Sequence, residues 1–376
     1  MKEVPLCLPD ITAAEENAVL EVLRSNWLAH GPKNKEFETM FAEYIGVKRA
    51  LSLNSCTSAL FLTILALGIK GEVILPSFTF VATANAVLAA GAKPVFADIN
   101  FDTLNMNPES VAAKIGPRTE AILIVHFGGQ ACDMDAFTSL AEKHGLALIE
   151  DSAETIGGEY QGRKTGSFGA GCFSFFPTKN MTTGEGGMVT TNDEALADRI
   201  FALIGHGIKT TTLDRQSGLQ PWRRSAALVG YNFRLTNFQA ALGVEQLRRL
   251  DRMNEARTRH AEYLSAKLAQ KAPGLELPVI RPGRKHVWQM YTVKVGADND
   301  RDKFVLALRE KGVAASVHFD PPVHQQAYYK ANGYGRADLP VTEEAARRIV
   351  TLPMYPALTK DDLDFIADTV ARVLQR

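Results

Sequence analysis

The sequence has no surplus of charge, because its 376 residues include 42 Lys and Arg against 42 Asp and Glu. A chain without a net field has little general attraction for nucleic acid or for an anionic membrane surface, so neither partner is expected. Cysteine is also scarce. The four cysteines form no CxxC pair and no regular spacing, which argues against a zinc site and a disulfide framework. We therefore expect no metal and reduced thiols.

Long apolar runs are absent as well. Residues 1–10 lack a basic segment followed by an apolar one, and the most apolar stretch, residues 59–69, is too short to span a bilayer. These observations predict a cytoplasmic protein that does not associate with membranes. Hydrophobic residues make up 46% of the chain, enough for a sizeable core, and its length exceeds that of one ordinary domain.

From about residue 50 to residue 205, short apolar runs alternate with helical patterns. This alternation predicts an α/β fold with a mostly parallel sheet and helices on both faces. The predicted strands are 50–53, 73–75, 94–97, 121–125, 146–150, 172–175 and 187–190. The predicted helices between them are 58–67, 83–90, 108–115, 134–144 and 193–204. In such sheets ligands bind beyond the carboxyl ends of the strands, so we expect the chemistry there.

The last third of the sequence predicts a second domain. Thr236 and Gln239 have the spacing of a capping box, which predicts the start of a long helix that continues to about residue 267. A smaller α+β domain is predicted after Pro273. Its apolar runs and helical patterns lie at 287–295, 313–318, 302–311, 342–349 and 360–374. We expect a large domain over residues 1–245 and a small one over residues 246–376.

The segment 172–189, CFSFFPTKNMTTGEGGMV, places Lys179 between two predicted buried strands. A lysine after a strand is usually a solvated loop residue, and spacing alone does not select this one. However, desolvation between buried strands would favour the neutral amine that Schiff-base chemistry requires. Lys179 is therefore a candidate nucleophile.

Asp151 closes another predicted strand, in LALIEDSAETIGG at residues 146–158. An aspartate in this place is as often only the cap of a following helix. The functional alternative is a carboxylate that keeps the pyridine nitrogen of a pyridoxal cofactor protonated, so that the ring acts as an electron sink.

Two further segments follow predicted strands. NSCTSAL, at residues 54–60, opens a helix with hydroxyls and free backbone N–H groups, which together make an anion site. Taken alone, an ordinary Ser/Thr cap explains this segment better. In PSFTFVA, at residues 76–82, the ring of Phe80 could stack on a flat cofactor, although a role in the core is the simpler interpretation.

In this order, the anion site, aromatic ring, strand-end aspartate and lysine resemble the sugar-nucleotide aminotransferases of the DegT/StrS type. The resemblance extends from SNWLAHGPKNKEFE at 25–38 to LPMYPALT at 352–359. Its best stretches are FSFFPTKNMTTGEGGMV at 173–189, GYNFRLTNFQAALGVEQL at 230–247 and VHFDPPVHQQAYY at 317–329. It implies a pyridoxal 5′-phosphate (PLP)-dependent transferase of fold type I, with a mostly parallel seven-stranded sheet in the large domain and a smaller α+β C-terminal domain.

The resemblance also implies roles for residues around the cofactor ring. Lys179 would bind PLP as a Schiff base, Asp151 would contact the pyridine nitrogen, and Phe80 would stack on the ring. Glu154 would lie near the phenolic oxygen of the cofactor, at a position where many relatives have Gln or His. A carboxylate there would repel that oxygen unless it is protonated or turned away.

For the phosphate, the resemblance implies contacts from Thr57, Ser58 and Ser174. Asn232 would reach the same phosphate from the partner subunit, which implies an obligate homodimer with shared active sites. A further set would contact the sugar nucleotide. Its members are Trp27, Arg234, His318 and His324.

The implied reaction moves the amino group of an amino acid, L-glutamate, onto a nucleotide-linked keto sugar in amino-sugar, surface-polysaccharide or glycoside biosynthesis. The 4-keto-6-deoxy class of sugar is the commonest in the family. Two alternatives stay open: a keto-cyclitol as acceptor, and a regulatory protein that binds PLP without turnover. A nicotinamide dehydrogenase is disfavoured, because the glycines of 166–171 precede a strand instead of joining the first strand to its helix.

Overall fold

The computed structural model describes residues 2–210, 222 and 224–375. A seven-stranded sheet forms the centre of the larger part. Its strands are β1 Arg49–Leu53, β2 Glu72–Pro76, β3 Lys93–Ala97, β4 Thr119–Val125, β5 Ala147–Asp151, β8 Ala170–Ser174 and β9 Gly187–Thr191. They lie in the order β1-β9-β8-β5-β4-β2-β3, and β9 alone among them runs antiparallel to its neighbours. The predicted α/β class and mostly parallel sheet are confirmed.

Helices cover both faces of this sheet. One layer contains α3 Cys56–Ala66, α4 Val81–Ala89 and α7 Glu194–Ile204, and the other contains α2 Pro32–Ile45, α5 Pro108–Ala112 and α6 Met134–His144. Strand β4 shows why residues 121–125 are all apolar. Leu123 and Val125 join the cluster of α3 and α4, whereas Ile122 and Ile124 join the cluster of α6. Alternate side chains leave a strand on opposite faces, so a sheet covered twice needs apolar residues at every position.

Helix α8, Asn237–Lys271, joins the sheet to the C-terminal part of the chain. It begins as its capping box predicts, with the Thr236 N–H donating to Gln239 Oε1 at 3.2 Å. Its first half packs on α2 through Val244 and Leu247, and its second half enters the C-terminal core through Leu264. The expected domain boundary at residue 245 therefore falls inside one continuous helix. Within 2–210 and 224–375, no helix is both long and apolar enough to cross a membrane.

The C-terminal part contains a two-stranded sheet, β11 Tyr291–Lys294 with β12 Ile349–Leu352, packed by α9 Arg301–Glu310, α11 Pro340–Arg348 and α12 Lys360–Leu374. A short helix, α10 Ala327–Ala331, precedes α11. The apolar run 313–318 is not a regular strand: it makes two isolated bridges, from Val313 to Val4 and from Ser316 to Thr351.

The N-terminal segment contacts the C-terminal part of the chain. Val4 pairs with Val313 and is buried in the C-terminal core. Helix α1, Ala13–Ser25, then returns the chain to α8. The remaining strands, β6 Glu159–Tyr160, β7 Arg163–Lys164 and β10 Arg284–Lys285, form a small separate sheet.

Candidate active site

A cavity of about 470 Å³ lies at the carboxyl ends of β1, β2, β4, β5 and β8. Parallel strands end at one edge of the sheet, so the residues that follow them converge there. The structure brings seven of the predicted site residues together in the lining of this cavity: Thr57, Phe80, Asp151, Glu154, Ser174, Lys179 and His318. Segments far apart in the chain thus form one site.

The N-terminus of α3 forms the wall next to β1. Ser55 caps this helix, because its Oγ accepts the Ser58 N–H at 3.1 Å, and the two hydroxyls lie 3.0 Å apart. Thr57 and Ser174 add hydroxyls to the lining. A helix N-terminus carries unpaired N–H groups and a partial positive charge, so this wall is suited to hold a phosphate.

Lys179 lies in the loop between β8 and β9, and its side chain is only 16% exposed. Helix α8 fixes this loop from behind. The Asn180 amide donates to Asn254 Oδ1 at 2.7 Å, and the Thr182 N–H donates to Gln246 Oε1 at 3.2 Å. The loop that carries the lysine is therefore held in place by helix α8.

Asp151 ends β5 and is buried in the cavity wall. Its Oδ2 accepts from the Thr83 hydroxyl at 2.8 Å, and its Oδ1 accepts from the Ala153 N–H at 3.2 Å. Burial raises the pKa of this carboxyl, and the hydrogen bond from Thr83 opposes that shift. Asp151 makes no salt bridge with any residue that the structure describes. Thr83 was missed from the sequence, although it lies one helical turn after Phe80.

Glu154 is nearly buried and points toward the lysine. Its Oε1 lies 3.4 Å from Lys179 Nζ, and its Oε2 accepts the Gly128 N–H at 2.9 Å. The carboxylate is thus directed at a cation and at a backbone donor.

The two histidines differ in their placement. His318 lines the cavity, its Nδ1 lies 2.9 Å from Thr351 Oγ1, and burial lowers its pKa. His324 is not in the cavity lining. It is buried with Nδ1 2.6 Å from Ser77 Oγ and Nε2 3.2 Å from Glu343 Oε1, the contacts of a residue that joins two segments.

Gln289 lines the cavity and was missed by the sequence analysis. Its amide donates to the Thr178 carbonyl at 3.0 Å, whereas its Oε1 is buried and has no hydrogen-bond partner among the residues that the structure describes. The residue enters from beyond α8, so no local pattern in the sequence indicates it. An unsatisfied buried oxygen in the wall is suited to accept a donor from a ligand.

Three other candidates lie outside this cavity. Asn232 is exposed, and its backbone pairs with Gly205. Arg234 lines a separate cavity of about 290 Å³, next to α7. The Trp27 indole donates to the His30 carbonyl at 3.2 Å. None of the three is part of the lining around Lys179 in its own chain.

This donor set fits PLP. The buried Asp151 carboxyl has no cation beside it that forms a salt bridge among the described residues, and a protonated pyridine nitrogen would supply one. Phe80 is 61% exposed at the cavity, so a face of its ring is free to stack. Lys179 would bind the cofactor covalently, and the α3 N-terminus would hold its phosphate.

The phosphate wall gives a first prediction, at Gly187 in β9. A Cβ there would lie 2.5 Å from the Ser55 carbonyl oxygen and 2.6 Å from the Cys56 nitrogen, which are backbone atoms at the start of α3. Gly187→Ala must therefore displace the phosphate wall, and we expect PLP to bind at least about tenfold more weakly, roughly the effect of one lost charge-assisted hydrogen bond.

The measurement is titration of the cofactor-free protein with PLP, followed by absorbance. Gly116→Ala is the control, because a Cβ at Gly116 would meet no atom within 4 Å. Both variants should be compared at a temperature where circular dichroism shows them folded. Equal PLP affinities in the two variants would contradict the role of this wall.

Comparisons with known proteins place the chain among aminotransferases. Residues 9–371 match the model of the DegT/DnrJ/EryC1/StrS aminotransferase family. The spore coat polysaccharide biosynthesis protein SpsC of Bacillus subtilis (strain 168) is 42% identical over an alignment of 381 positions that covers 99% of this chain and 97% of SpsC.

Solved structures show the same fold. PseC of Helicobacter pylori, an aminotransferase involved in the biosynthesis of pseudoaminic acid, superposes with a TM-score of 0.92 at 30% identity, over 100% of both chains. The PLP-form of Spr1654 from Streptococcus pneumoniae superposes with a TM-score of 0.92 at 27% identity, over 99% of both chains.

Proposed function

The chain belongs to the DegT/DnrJ/EryC1/StrS aminotransferase family, and on this basis we propose that it moves an amino group from L-glutamate to a nucleotide-linked keto sugar. It is a PLP-dependent sugar aminotransferase, as family membership and the solved relatives support. The proposal adds the amino donor, the nucleotide, a 4-keto-6-deoxy sugar as the acceptor and a cytoplasmic location. The sugar class is the commonest one in the family that the sequence resembles.

One observation carries the proposal: the amine of Lys179 and the carboxyl of Asp151 line one cavity at the ends of the parallel strands. When bound, PLP takes up the electron pair of the cleaved substrate C–H bond and carries the amino group from one substrate to the other. Lys179 binds the cofactor and then moves the proton, which a side chain shielded from water can do efficiently. Asp151 holds positive charge at the ring nitrogen.

The other walls of the cavity would orient the cofactor and the substrate. The N-terminus of α3, with Thr57, Ser58 and Ser174, holds the phosphate, and the ring of Phe80 fixes the cofactor plane. His318, whose pKa is lowered by burial, is neutral near pH 7 and is suited to hydrogen-bond a sugar hydroxyl.

We also propose a homodimer in which each chain completes the site of its partner. Asn232 is exposed outside the cavity of its own chain, and this placement supports a contact with the phosphate in the partner's site. Arg234, two residues away, and Trp27 would contact the sugar nucleotide from the same side. Gln289 and His318 bring the C-terminal part to the cavity. The proposed division at residues 245 and 246 therefore places the site between two domains.

The test is a pair of half-reactions. The PLP-loaded protein is expected to convert L-glutamate to 2-oxoglutarate with loss of its visible absorbance. The resulting form is then offered dTDP-, UDP- and GDP-linked 4-keto-6-deoxy sugars, and one of these should restore the absorbance. A keto-cyclitol is offered in parallel. Restoration by the cyclitol alone would replace the proposed acceptor, and no reaction with glutamate would favour a regulatory protein.

A further inference from the structure

The cavity contains a second carboxylate, Glu154, which the resemblance places near the phenolic oxygen of the cofactor and to which the reaction above assigns no role. Its Oε1 lies 3.4 Å from Lys179 Nζ, and the two side chains are 8% and 16% exposed. The other oxygen, Oε2, accepts the Gly128 N–H at 2.9 Å. This second contact fixes the carboxylate in the wall, so it cannot swing away from the lysine without breaking a buried hydrogen bond.

Three of the other ionisable groups around Lys179 carry no charge that competes for it near pH 7. Burial raises the pKa of the Cys56 thiol well above its usual range, and burial also raises the pKa of the Cys7 thiol. Burial lowers the pKa of His318, which keeps its ring neutral. Three of the groups that act electrostatically on Lys179 are thus neutral.

Asp151 is the other carboxylate of the cavity, and its oxygens are directed elsewhere. They accept from Thr83 and from the Ala153 N–H at 2.8 and 3.2 Å, and Asp151 makes no salt bridge with Lys179. Glu154 makes the one salt bridge that Lys179 has among the described residues.

We propose that Glu154 is the charge partner of the lysine nitrogen in the cofactor-bound protein: its carboxylate favours the protonated form of the nitrogen that joins Lys179 to PLP. The proposal rests on the proposed function, because it concerns the nitrogen that binds PLP. It adds a residue that sets the pH range of the reaction. A protonated nitrogen makes the attached carbon more open to attack by the incoming amino group, and Glu154 extends that state to higher pH.

The test is a spectroscopic pH titration of the PLP-loaded protein, because the lysine-bound cofactor changes colour when its nitrogen loses a proton. Glu154→Gln keeps the shape and an oxygen for the Gly128 N–H, but it removes the charge. We expect the midpoint of the colour change to fall by about one pH unit or more, the usual effect of losing an opposite charge within 4–6 Å. The high-pH limb of the pH–rate profile of amino transfer should move to lower pH by a similar amount.

The matched control is Glu185→Gln. Glu185 also lines the cavity, but it is exposed and its carboxylate makes no salt bridge with the described residues. Its substitution is expected to leave the midpoint within about 0.2 pH units, since exposed charges are strongly screened. A midpoint that is unchanged in Glu154→Gln, or that moves equally in both variants, overturns the inference while the function stands. A wild-type chain that acquires no colour with PLP overturns both.

Discussion

Lys179→Ala is expected to abolish the visible absorbance that the protein acquires with PLP and to lower amino transfer by at least about 10³-fold. The variant loses the covalent attachment and the group that moves the proton, and a positioned acid–base group alone contributes about 10² to 10⁴ in rate. PLP should still bind without covalent attachment, because Asp151 and the α3 N-terminus remain. Absorbance spectra after gel filtration, together with single-turnover kinetics, measure both effects.

Lys164→Ala provides a matched control for the loss of a lysine. The Lys164 side chain is 20% exposed, and that of Lys179 is 16% exposed. Lys164 Nζ lies 3.1 Å from the Glu159 carboxylate, and Lys179 Nζ lies 3.4 Å from the Glu154 carboxylate. The two lysines are alike in burial and in pairing, and Lys164 lies outside the cavity lining. Absorbance retained in Lys179→Ala, or lost equally in both variants, would contradict the assignment.

The α/β fold was predictable because its main signals are local. Buried strands such as β4 are apolar on both faces, and the capping box at Thr236 correctly predicts the start of α8. Helix α1 carries the same signal, since Thr12 and Glu15 form a capping box, but the prediction omitted it. The position of Val4 could not be predicted. Its pairing with Val313 spans most of the chain, and nothing in either local sequence selects the other.

The candidate site was predictable to the same degree. Residues at the carboxyl ends of several parallel strands, such as Asp151, converge on the cavity because the fold places them there. The direction of the Glu154 side chain depends on the Gly128 N–H, which a distant turn supplies. His324 was predicted to contact the substrate, but it lies outside the cavity lining. It lies in a stretch that strongly resembles the family, yet its partners are Ser77 and Glu343 and not the cavity.

Two adjacent carboxylates at the end of β5 allow chemistry and stability to be separated. Asp151 faces the cavity, whereas the fully buried Glu150 contacts His126 and the segment that precedes β8. Glu150 Oε2 accepts the Gly166 N–H at 2.7 Å. Glu150 Oε1 accepts the Phe168 and Gly169 N–H groups at 2.8 Å each. Neighbouring side chains of a strand point to opposite faces, so one strand can support two different roles.

Asp151→Asn is expected to lower amino transfer by on the order of 10²-fold or more, the range for removing one preorganised electrostatic group. An amide cannot hold positive charge at the pyridine nitrogen, so the ring loses its capacity as an electron sink. The hydrogen bonds survive, because the amide oxygen can accept the Ala153 N–H while the Thr83 hydroxyl rotates to accept from the amide. Half-reaction kinetics with L-glutamate measure the loss.

The same substitution, Asp151→Asn, should not destabilise the cofactor-free protein. Burial raises the pKa of Asp151 above its unfolded value, so the folded state binds its proton more tightly. Stability from this group is full at low pH and is lost as the pH rises through the folded pKa. At neutral pH the wild type carries that penalty and Asp151→Asn does not, so the denaturation midpoint of the cofactor-free variant should be no lower than that of the wild type.

Glu150→Gln is expected to have the reverse effects: it should lower the stability and change amino transfer little. Either orientation of its amide turns an NH₂ group toward backbone N–H donors, which leaves buried donors without an acceptor. We expect a loss of about 3 kcal/mol or more in the free energy of unfolding. Because the residue does not line the cavity, amino transfer per folded molecule should change little. A stable Glu150→Gln variant, or an active Asp151→Asn variant, would show that the two carboxylates do not divide their roles in this way.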